Sequence, residues 1–160
     1  MASDIFLYLN GIKGESADAK HQDQIDVESY SWGVRMSEPD GRGGGGGVGK
    51  ATFDGLTFVA KTSMASPPLF LAAASGKHLP DALLTVRRAS DKQTEYIHIK
   101  LVDVTVSSYQ QSDTEAQDRP TDICALRFGI IDFSYSPQMA DGTLGGSIEA
   151  AWDVKKNQKI

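Results

Sequence analysis

The sequence predicts a mainly β, water-soluble fold: an antiparallel β-barrel with one short packed α-helix at about residues 66–75. Three observations support this fold class. Most apolar residues lie in short segments where apolar and polar side chains alternate, as they do in strands. One segment carries both helix start and helix stop signals. Two long segments change the face that bears their apolar residues, which indicates strands of a closed or nearly closed barrel. We expect residues 1–160 to form a single domain.

The first half of the chain contains three predicted strands and a long loop. Residues 4–11 are rich in aromatic and branched side chains and end in an Asn-Gly turn signal. Residues 25–34 alternate in polarity and carry large aromatic residues towards their far end. Residues 36–50 include Pro39 and five successive glycines, which is typical of a long flexible loop. Residues 51–61 return to a strand pattern.

The helix is predicted from its two ends. Ser66 can cap the N-terminus, and Pro67 suits the first helical position. Gly76 follows a run of good helix formers and supplies the left-handed residue that commonly ends a helix. Because a helix this short is unstable alone, we expect it to pack against the sheet.

The second half of the chain is again β. Residues 83–88 and 95–107 flank a short polar turn and predict a hairpin. In the second of these strands the apolar set changes from odd to even positions after Leu101, and a similar change follows Ile130. Asp103 and Asp132 interrupt these strands, so we expect them to mark the switches or to face a subunit partner. The last strand is predicted at residues 147–154, followed by a polar tail.

Charge and composition exclude several classes of protein. The net charge is −5 at pH 7, which disfavours nucleic-acid binding because that affinity depends on a basic surface. No segment is long and apolar enough to span a membrane. The N-terminus lacks the cationic start and longer apolar run of a secretory signal. We therefore expect the chain to begin in the cytoplasm, without membrane insertion.

The strongest chemical motif is a partial P-loop, formed by Gly44, Gly49 and Lys50. In a P-loop the backbone amides surround a phosphate and the lysine reaches the terminal phosphates. Here Ala51 replaces the serine or threonine that would hold Mg²⁺, and a strand pattern follows where a helix is required. We therefore predict no nucleotide site and no cofactor.

The remaining reactive residue types are dispersed. Cys124 is the single cysteine and lies in an apolar run, which favours a buried structural thiol over a reactive one. The three histidines lack metal-ligand spacing, and His98 alternates with polar neighbours on a predicted solvated face. Four carboxylates are predicted to lie in one solvated polar loop: Asp113, Glu115, Asp118 and Asp122. No catalytic constellation is found, so the sequence predicts no enzyme.

Several of these features together resemble one family. They are the segment Ile12-Lys13-Gly14-Glu15-Ser16, then His21 and Ile25, the Ser31-Trp32-Gly33 strand, the Ser66-Pro67 helix start and a late Trp152-Asp153-Val154. This combination resembles the haemolysin-coregulated protein (Hcp) family of bacterial type VI secretion systems. The resemblance runs from Asp4 to about Asn157. It departs at Tyr30, where many members carry a second tryptophan, and in a longer glycine run at residues 43–47. The motif residues carried over as structural are Lys13, Gly14, Glu15, Ser16, His21, Trp32, Gly33 and Trp152.

The resemblance implies a fold and a function. It implies an antiparallel β-barrel with one helix, six-membered rings of identical subunits, and stacking of the rings into a hollow tube. The implied partners are further copies of the chain, a spike protein, contractile sheath and baseplate proteins, and effector proteins in the lumen. Export would then occur through the secretion apparatus, without a signal peptide.

The long glycine-rich loop is the best candidate to reach the next ring, because it projects from two strands. Its flexibility would carry an ordering cost on docking. The alternative is a plain surface loop without a binding role. The residues proposed for ring stacking are Glu38, Asp40, Arg42, Gly45 and Lys50.

Two other functions compete with this one. A monomeric or dimeric β-barrel that binds a small ligand or carbohydrate would need a deep pocket lined by Trp32 or Trp152. An enzyme would need a toxic domain after the barrel, and the chain ends six residues after Val154. The sequence therefore favours the tube subunit.

Overall fold

The computed structural model describes residues 3–37, 49–88, 92–116 and 118–160, and the fold is given for these residues. They form ten strands and one helix. The elements are β1 (Ser3–Leu9), β2 (Ile25–Val27), β3 (Ser29–Met36), β4 (Ala51–Lys61), α1 (Ser66–Ser75), β5 (His78–Arg88), β6 (Glu95–Ser112), β7 (Thr121–Arg127), β8 (Ile130–Tyr135), β9 (Ile148–Asp153) and β10 (Gln158–Lys159).

The long strand β6 organises the sheet. One of its edges pairs with β5, and the other pairs first with β8 and then with β7. From β5 the sheet continues through β1 to β2, and from β7 it continues through β4 to β3. All the ladders are antiparallel, so the predicted mainly β architecture with one helix is confirmed.

The sheet does not close into a complete barrel. β2 pairs with β1 and β3 pairs with β4, and the chain passes from one ladder to the other at Glu28. The Glu28 amide donates to the Val59 carbonyl (2.8 Å), which holds the junction in place. The single strand predicted over residues 25–34 is therefore wrong. Ile25 and Val27 face inward before Glu28, whereas Tyr30 and Trp32 are half-buried after it.

The predicted change of face in β6 occurs at Asp103. Ile99 and Leu101 are buried before this residue, and Val104 is buried after it. Asp103 has a positive φ of 56°, which turns the strand over. It lies opposite Gly129, between β7 and β8, and the Gly129 amide donates to the Val102 and Asp103 carbonyls. One local distortion therefore produces both predicted switches.

Helix α1 ends as predicted but begins differently. Gly76 is left-handed, with φ 66°, and its amide donates to the Ala72 carbonyl. Ala65 occupies the N-cap position, and no side chain caps the helix there. The prediction that Ser66 caps α1 is wrong, because its hydroxyl instead donates to Asp122 on β7. This contact fixes the start of the helix to the sheet.

The C-terminal tail is also more ordered than predicted. Residues 155–160 were expected to be a polar tail, yet Gln158 and Lys159 pair with Asp153 and Trp152. The turn is made by Asn157, with φ 52°, and by the Lys156 amide, which donates to the Asp153 side chain (2.9 Å). The prediction is wrong because this turn depends on side-chain hydrogen bonds rather than on apolar periodicity.

Candidate functional site

The motif segment 12–24 folds back on itself beside β1 and β2. The Gly14 amide donates to the Asp23 carbonyl (2.8 Å), and the Ser16 amide donates to the Gln24 carbonyl (3.0 Å). The two arms approach so closely that a Cβ on Gly14 would lie 2.5 Å from the Gln24 carbonyl oxygen. Glycine is therefore required at position 14 by backbone contact.

This fold places His21 inside the protein. Its ring stacks on Phe6 of β1, with centroids 4.3 Å apart. Nδ1 lies 3.1 Å from the Gln24 Oε1, and Nε2 lies 2.6 Å from the Glu95 Oε1 at the start of β6. His98 also contacts Glu95, at 3.1 Å, and is partly covered rather than on a fully solvated face. The contacts to His21 and His98 lower the pKa of Glu95, against the opposing effect of its burial.

A buried arginine also packs against Phe6. Arg87 on β5 is 3% exposed, and its guanidinium carbon lies 4.9 Å from the centre of the Phe6 ring. Its Nη2 donates to Asp4 (3.0 Å) and to Asp18 in the motif segment (2.8 Å). These contacts join β1, β5 and the motif segment. Sequence reasoning missed Arg87, because its partners lie 83 and 69 positions away.

The ion pair with Arg87 makes stability depend on pH. It holds the pKa of Asp18 at about 2, below the ordinary 3.8. The stabilisation is therefore complete above pH 3.8 and is lost as the pH falls towards 2. We expect Asp18→Asn to lower the urea midpoint at pH 6 and to have a smaller effect at pH 2.5. A difference in urea midpoint between Asp18→Asn and wild type that is the same at pH 6 and pH 2.5 would contradict this ion pair.

The other residues of the IKGES segment differ in their environment. Lys13 is exposed. The Glu15 carboxylate accepts from the Met64 amide just before α1 (3.3 Å) and lies 4.0 Å from Arg119. Ser16 is buried, and its hydroxyl accepts from the Asp18 amide (3.3 Å). The segment therefore contacts both the sheet and the approach to the helix.

Asp122 is buried, contrary to the prediction of a solvated loop residue. It lies on β7 and is 2% exposed. Its carboxylate accepts hydrogen bonds from three hydroxyl groups, those of Thr62, Ser66 and Tyr109. The prediction was wrong because β4 and β6 enclose this position from both sides. Burial and the bond to Asp122 raise the pKa of Tyr109 to about 12.

Cys124 lies two residues further along β7 and is fully buried, as predicted. Burial, and then the charge of Asp122, raise the pKa of its thiol to about 12. Since the thiolate is the reactive form, we expect negligible labelling by a maleimide at pH 8 in the folded protein. Full labelling should follow unfolding in guanidinium. Rapid labelling under native conditions would show that the thiol is accessible.

An open apolar groove lies between the end of β3 and the β8–β9 hairpin, with a volume of about 540 Å³. Trp32 and Trp152, both motif residues, line it together. Trp32 packs edge-on against Phe133 of β8, with ring centroids 5.7 Å apart. Gly33 sits at the irregularity in the β3–β4 ladder beside Trp32. The further lining residues are Val34, Arg35, Met36, Ala51, Phe53, Ile131, Ala150, Ala151 and Lys159.

The side chains of the described residues do not fill this groove completely. Val34 is 53% exposed and Met36 is 66% exposed at its edge. The Trp152 indole nitrogen is buried and has no hydrogen-bond partner within the described part of the chain. Sequence reasoning identified both tryptophans but missed Phe53 and Phe133, because four separate strands bring these rings together.

A second apolar surface lies on α1. Its inner side is buried at Ala65, Leu69 and Ala72. Its outer side leaves Phe70 and Leu71 more than half exposed. This surface and the groove are distinct parts of the described structure.

Of the residues proposed for ring stacking, only Lys50 lies within the described residues. It is exposed, and its carbonyl accepts from the amide (3.1 Å) and the hydroxyl (2.8 Å) of Ser37, where β3 and β4 converge. Strand β4 follows Lys50 directly, so the helix that a P-loop requires is absent at this position. Glu38, Asp40, Arg42 and Gly45 lie outside the described residues.

Within residues 3–37, 49–88, 92–116 and 118–160, no group of three or more His, Cys, Asp or Glu residues is placed to hold a metal ion. In the same ranges, no helix has the length and apolar character needed to cross a membrane.

Comparison with known proteins places the chain among type VI secretion proteins. The family model described as "Type VI secretion system effector, Hcp" matches residues 6–135. The chain is 40% identical over 159 residues to protein hcp1 of Pseudomonas aeruginosa, covering 98% of both chains. A solved type six secretion system protein superposes with a TM-score of 0.91 at 30% identity, covering 99% of this chain and 100% of that one. Hcp1 of Salmonella typhimurium superposes with a TM-score of 0.85 at 35% identity, covering all of both chains.

Proposed function

The chain belongs to the Hcp family of type VI secretion system proteins, and we propose that it is a ring-forming subunit of the secretion tube. The observation that carries this proposal is the 40% identity to hcp1 across 98% of both chains. The family consists of structural secretion-system proteins rather than enzymes. The proposal therefore concerns the surfaces through which subunits meet.

Six copies form a closed ring in this proposal. A ring of identical subunits joins two different surfaces of each chain, one from each neighbour, and closes by rotation. The chain exposes apolar residues in several places, as such contacts require, among them Met36 (66%), Leu71 (62%) and Ile148 (72%).

Rings stack into a hollow tube, and the loop over residues 36–50 reaches the neighbouring ring. The pairing of β3 with β4 up to Ser37 and Lys50 supports this assignment, since the chain leaves β3 and returns to β4 at two adjacent strand ends. The proposed stacking residues remain Glu38, Asp40, Arg42, Gly45 and Lys50.

The other proposed partners are the proteins that a tube subunit would meet. A spike protein caps the tube, sheath and baseplate proteins surround it, and effector proteins travel in the lumen. The subunit resides in the cytoplasm before the apparatus fires and then leaves the cell with the tube. Effector carriage is tested by co-purification: effectors of the same system should be retained by the rings and lost when the rings are dissociated.

Light scattering on the purified protein tests the ring. We expect a mass of about six times the 17.2 kDa of one chain at micromolar concentration. A monomer under these conditions would overturn the proposal.

One observation favours a second candidate, a β-barrel that binds a small ligand. Both tryptophans of the chain line the 540 Å³ groove, and the Trp152 indole nitrogen has no hydrogen-bond partner among the described residues. A ligand bound there should shift the tryptophan emission. An emission spectrum unchanged by panels of sugars and lipids would remove this alternative.

A further inference from the structure

Helix α1 is apolar on its inner and outer sides, apart from Ser66 and Ser75 at its two ends. Ala65, Leu69 and Ala72 form its buried stripe. On the outer side of the helix Pro67, Pro68 and Leu71 lie at i, i+1 and i+4, Phe70 adjoins them, and Met64 lies in the turn just before the helix. A surface helix normally presents a polar face to water, whereas a helix that is apolar all round is normally buried. The outer face, with Met64 57%, Phe70 59% and Leu71 62% exposed, therefore requires a cover.

The groove has the complementary chemistry. Its lining is mostly aromatic and aliphatic and comes from β3, β4, β8 and β9, with Lys159 of β10. Such grooves receive the apolar face of an amphipathic helix in many protein complexes. The described chain supplies no helix of its own for this groove, because α1 packs against β6.

The charges at the groove and at the start of α1 are opposite. Arg35 and Lys159 border the groove, and the exposed Lys155 lies on the adjacent β9–β10 turn. The contact of Arg35 with Asp54, at 3.4 Å between two exposed side chains, is weak.

The start of α1 has an acidic border. The Glu15 carboxylate accepts a hydrogen bond from the Met64 amide, just before the helix. The Gln111 side-chain amide donates to the Thr62 hydroxyl (3.2 Å), and this contact brings the loop that follows β6 to the same end of the helix. That loop carries exposed Asp113, Glu115 and Asp118, with Arg119 as its one cation among the described residues from 113 to 120. Opposite charges at the edges of two surfaces favour one docking orientation.

We propose that the outer face of α1 docks into the Trp32–Trp152 groove of a second copy of this chain. The contact joins two different surfaces, so each subunit gives its helix to one neighbour and its groove to the other. This inference rests on the proposed ring for its closure, and it assigns the ring contact to these two surfaces.

Complementary charge variants test the contact. Leu71→Glu places a charge on the helix face and leaves the groove intact, and Val34→Glu places one at the groove and leaves the helix intact. Met139→Glu is the matched control, since Met139 is 53% exposed and belongs to neither surface. Circular dichroism and thermal melting verify that all three variants fold.

We expect wild type and Met139→Glu to have the mass of six chains by light scattering and each docking variant to have the mass of one. An equimolar mixture of Leu71→Glu and Val34→Glu should form a 1:1 dimer and stop there. In this dimer the intact helix of one variant occupies the intact groove of the other, and both remaining surfaces carry charges.

The other outcomes separate the two proposals. Six-chain assemblies in both docking variants would overturn the helix–groove contact and leave the proposed ring standing. Monomeric variants whose mixture stays monomeric would also overturn the pairing of these two surfaces. A monomeric wild type would instead overturn the proposed function itself.

Discussion

Replacing Arg87 with alanine is expected to destabilise the fold by about 3 kcal/mol, because it removes the cation from a buried ion pair. Arg87 is 3% exposed and contacts Asp4 and Asp18, and its guanidinium covers one face of Phe6. The variant leaves the two carboxylates without their cation and opens a cavity beside the ring. Urea unfolding at pH 7, followed by circular dichroism, measures the change.

Arg87→Lys separates charge from geometry. Lysine keeps the positive charge but lacks the planar guanidinium that lies over Phe6. We expect it to recover less than half of the lost stability. Stability equal to wild type in Arg87→Ala would show that the contacts around Phe6 contribute nothing.

Replacing Gly14 with alanine is expected to lower the free energy of unfolding by about 3 kcal/mol, as for Arg87→Ala. The new Cβ would lie 2.5 Å from the Gln24 carbonyl oxygen and 2.7 Å from the Ile25 Cα. These are backbone atoms of a paired segment, so the strain is relieved only if the two arms of segment 12–24 separate. That movement would withdraw His21 from Glu95, which NMR of the His21 ring detects.

Gly146 provides the matched control for this substitution. A Cβ there meets no atom within 4 Å, and the residue has no positive φ. The free energy of unfolding of Gly146→Ala should therefore be within about 0.5 kcal/mol of the wild-type value. Equal effects of the two substitutions would contradict the close approach at Gly14.

The sequence predicted the elements whose signals are local. The β5–β6 hairpin follows from alternation on both sides of a polar turn, and the end of α1 follows from Gly76. The change of face at Asp103 was also visible, because apolar residues occupy odd positions before it and even positions after it. In each case a few neighbouring residues determine the structure.

The incorrect or missing predictions concern residues whose environment is built from distant segments. Asp122 has polar sequence neighbours, yet it is buried, and the hydroxyl groups of Thr62, Ser66 and Tyr109 donate hydrogen bonds to its carboxylate. The same reason applies to Arg87, which receives its carboxylates from β1 and the motif segment.

The candidate site was predicted in part. Both tryptophans were singled out from their motifs, but the groove they line exists only because β3, β4, β8 and β9 meet. Gly14, Ser16 and His21 belonged to the same motif, and their role in closing segment 12–24 is a matter of backbone distance. Nothing in a linear pattern specifies that distance.

Electron microscopy of the negatively stained protein tests the central claim most directly. If the chain is a tube subunit, the images will show uniform rings with six-fold symmetry and an open centre, and stacks of rings at high protein concentration. Particles of a single 17.2 kDa chain, without rings at any concentration examined, would contradict the account.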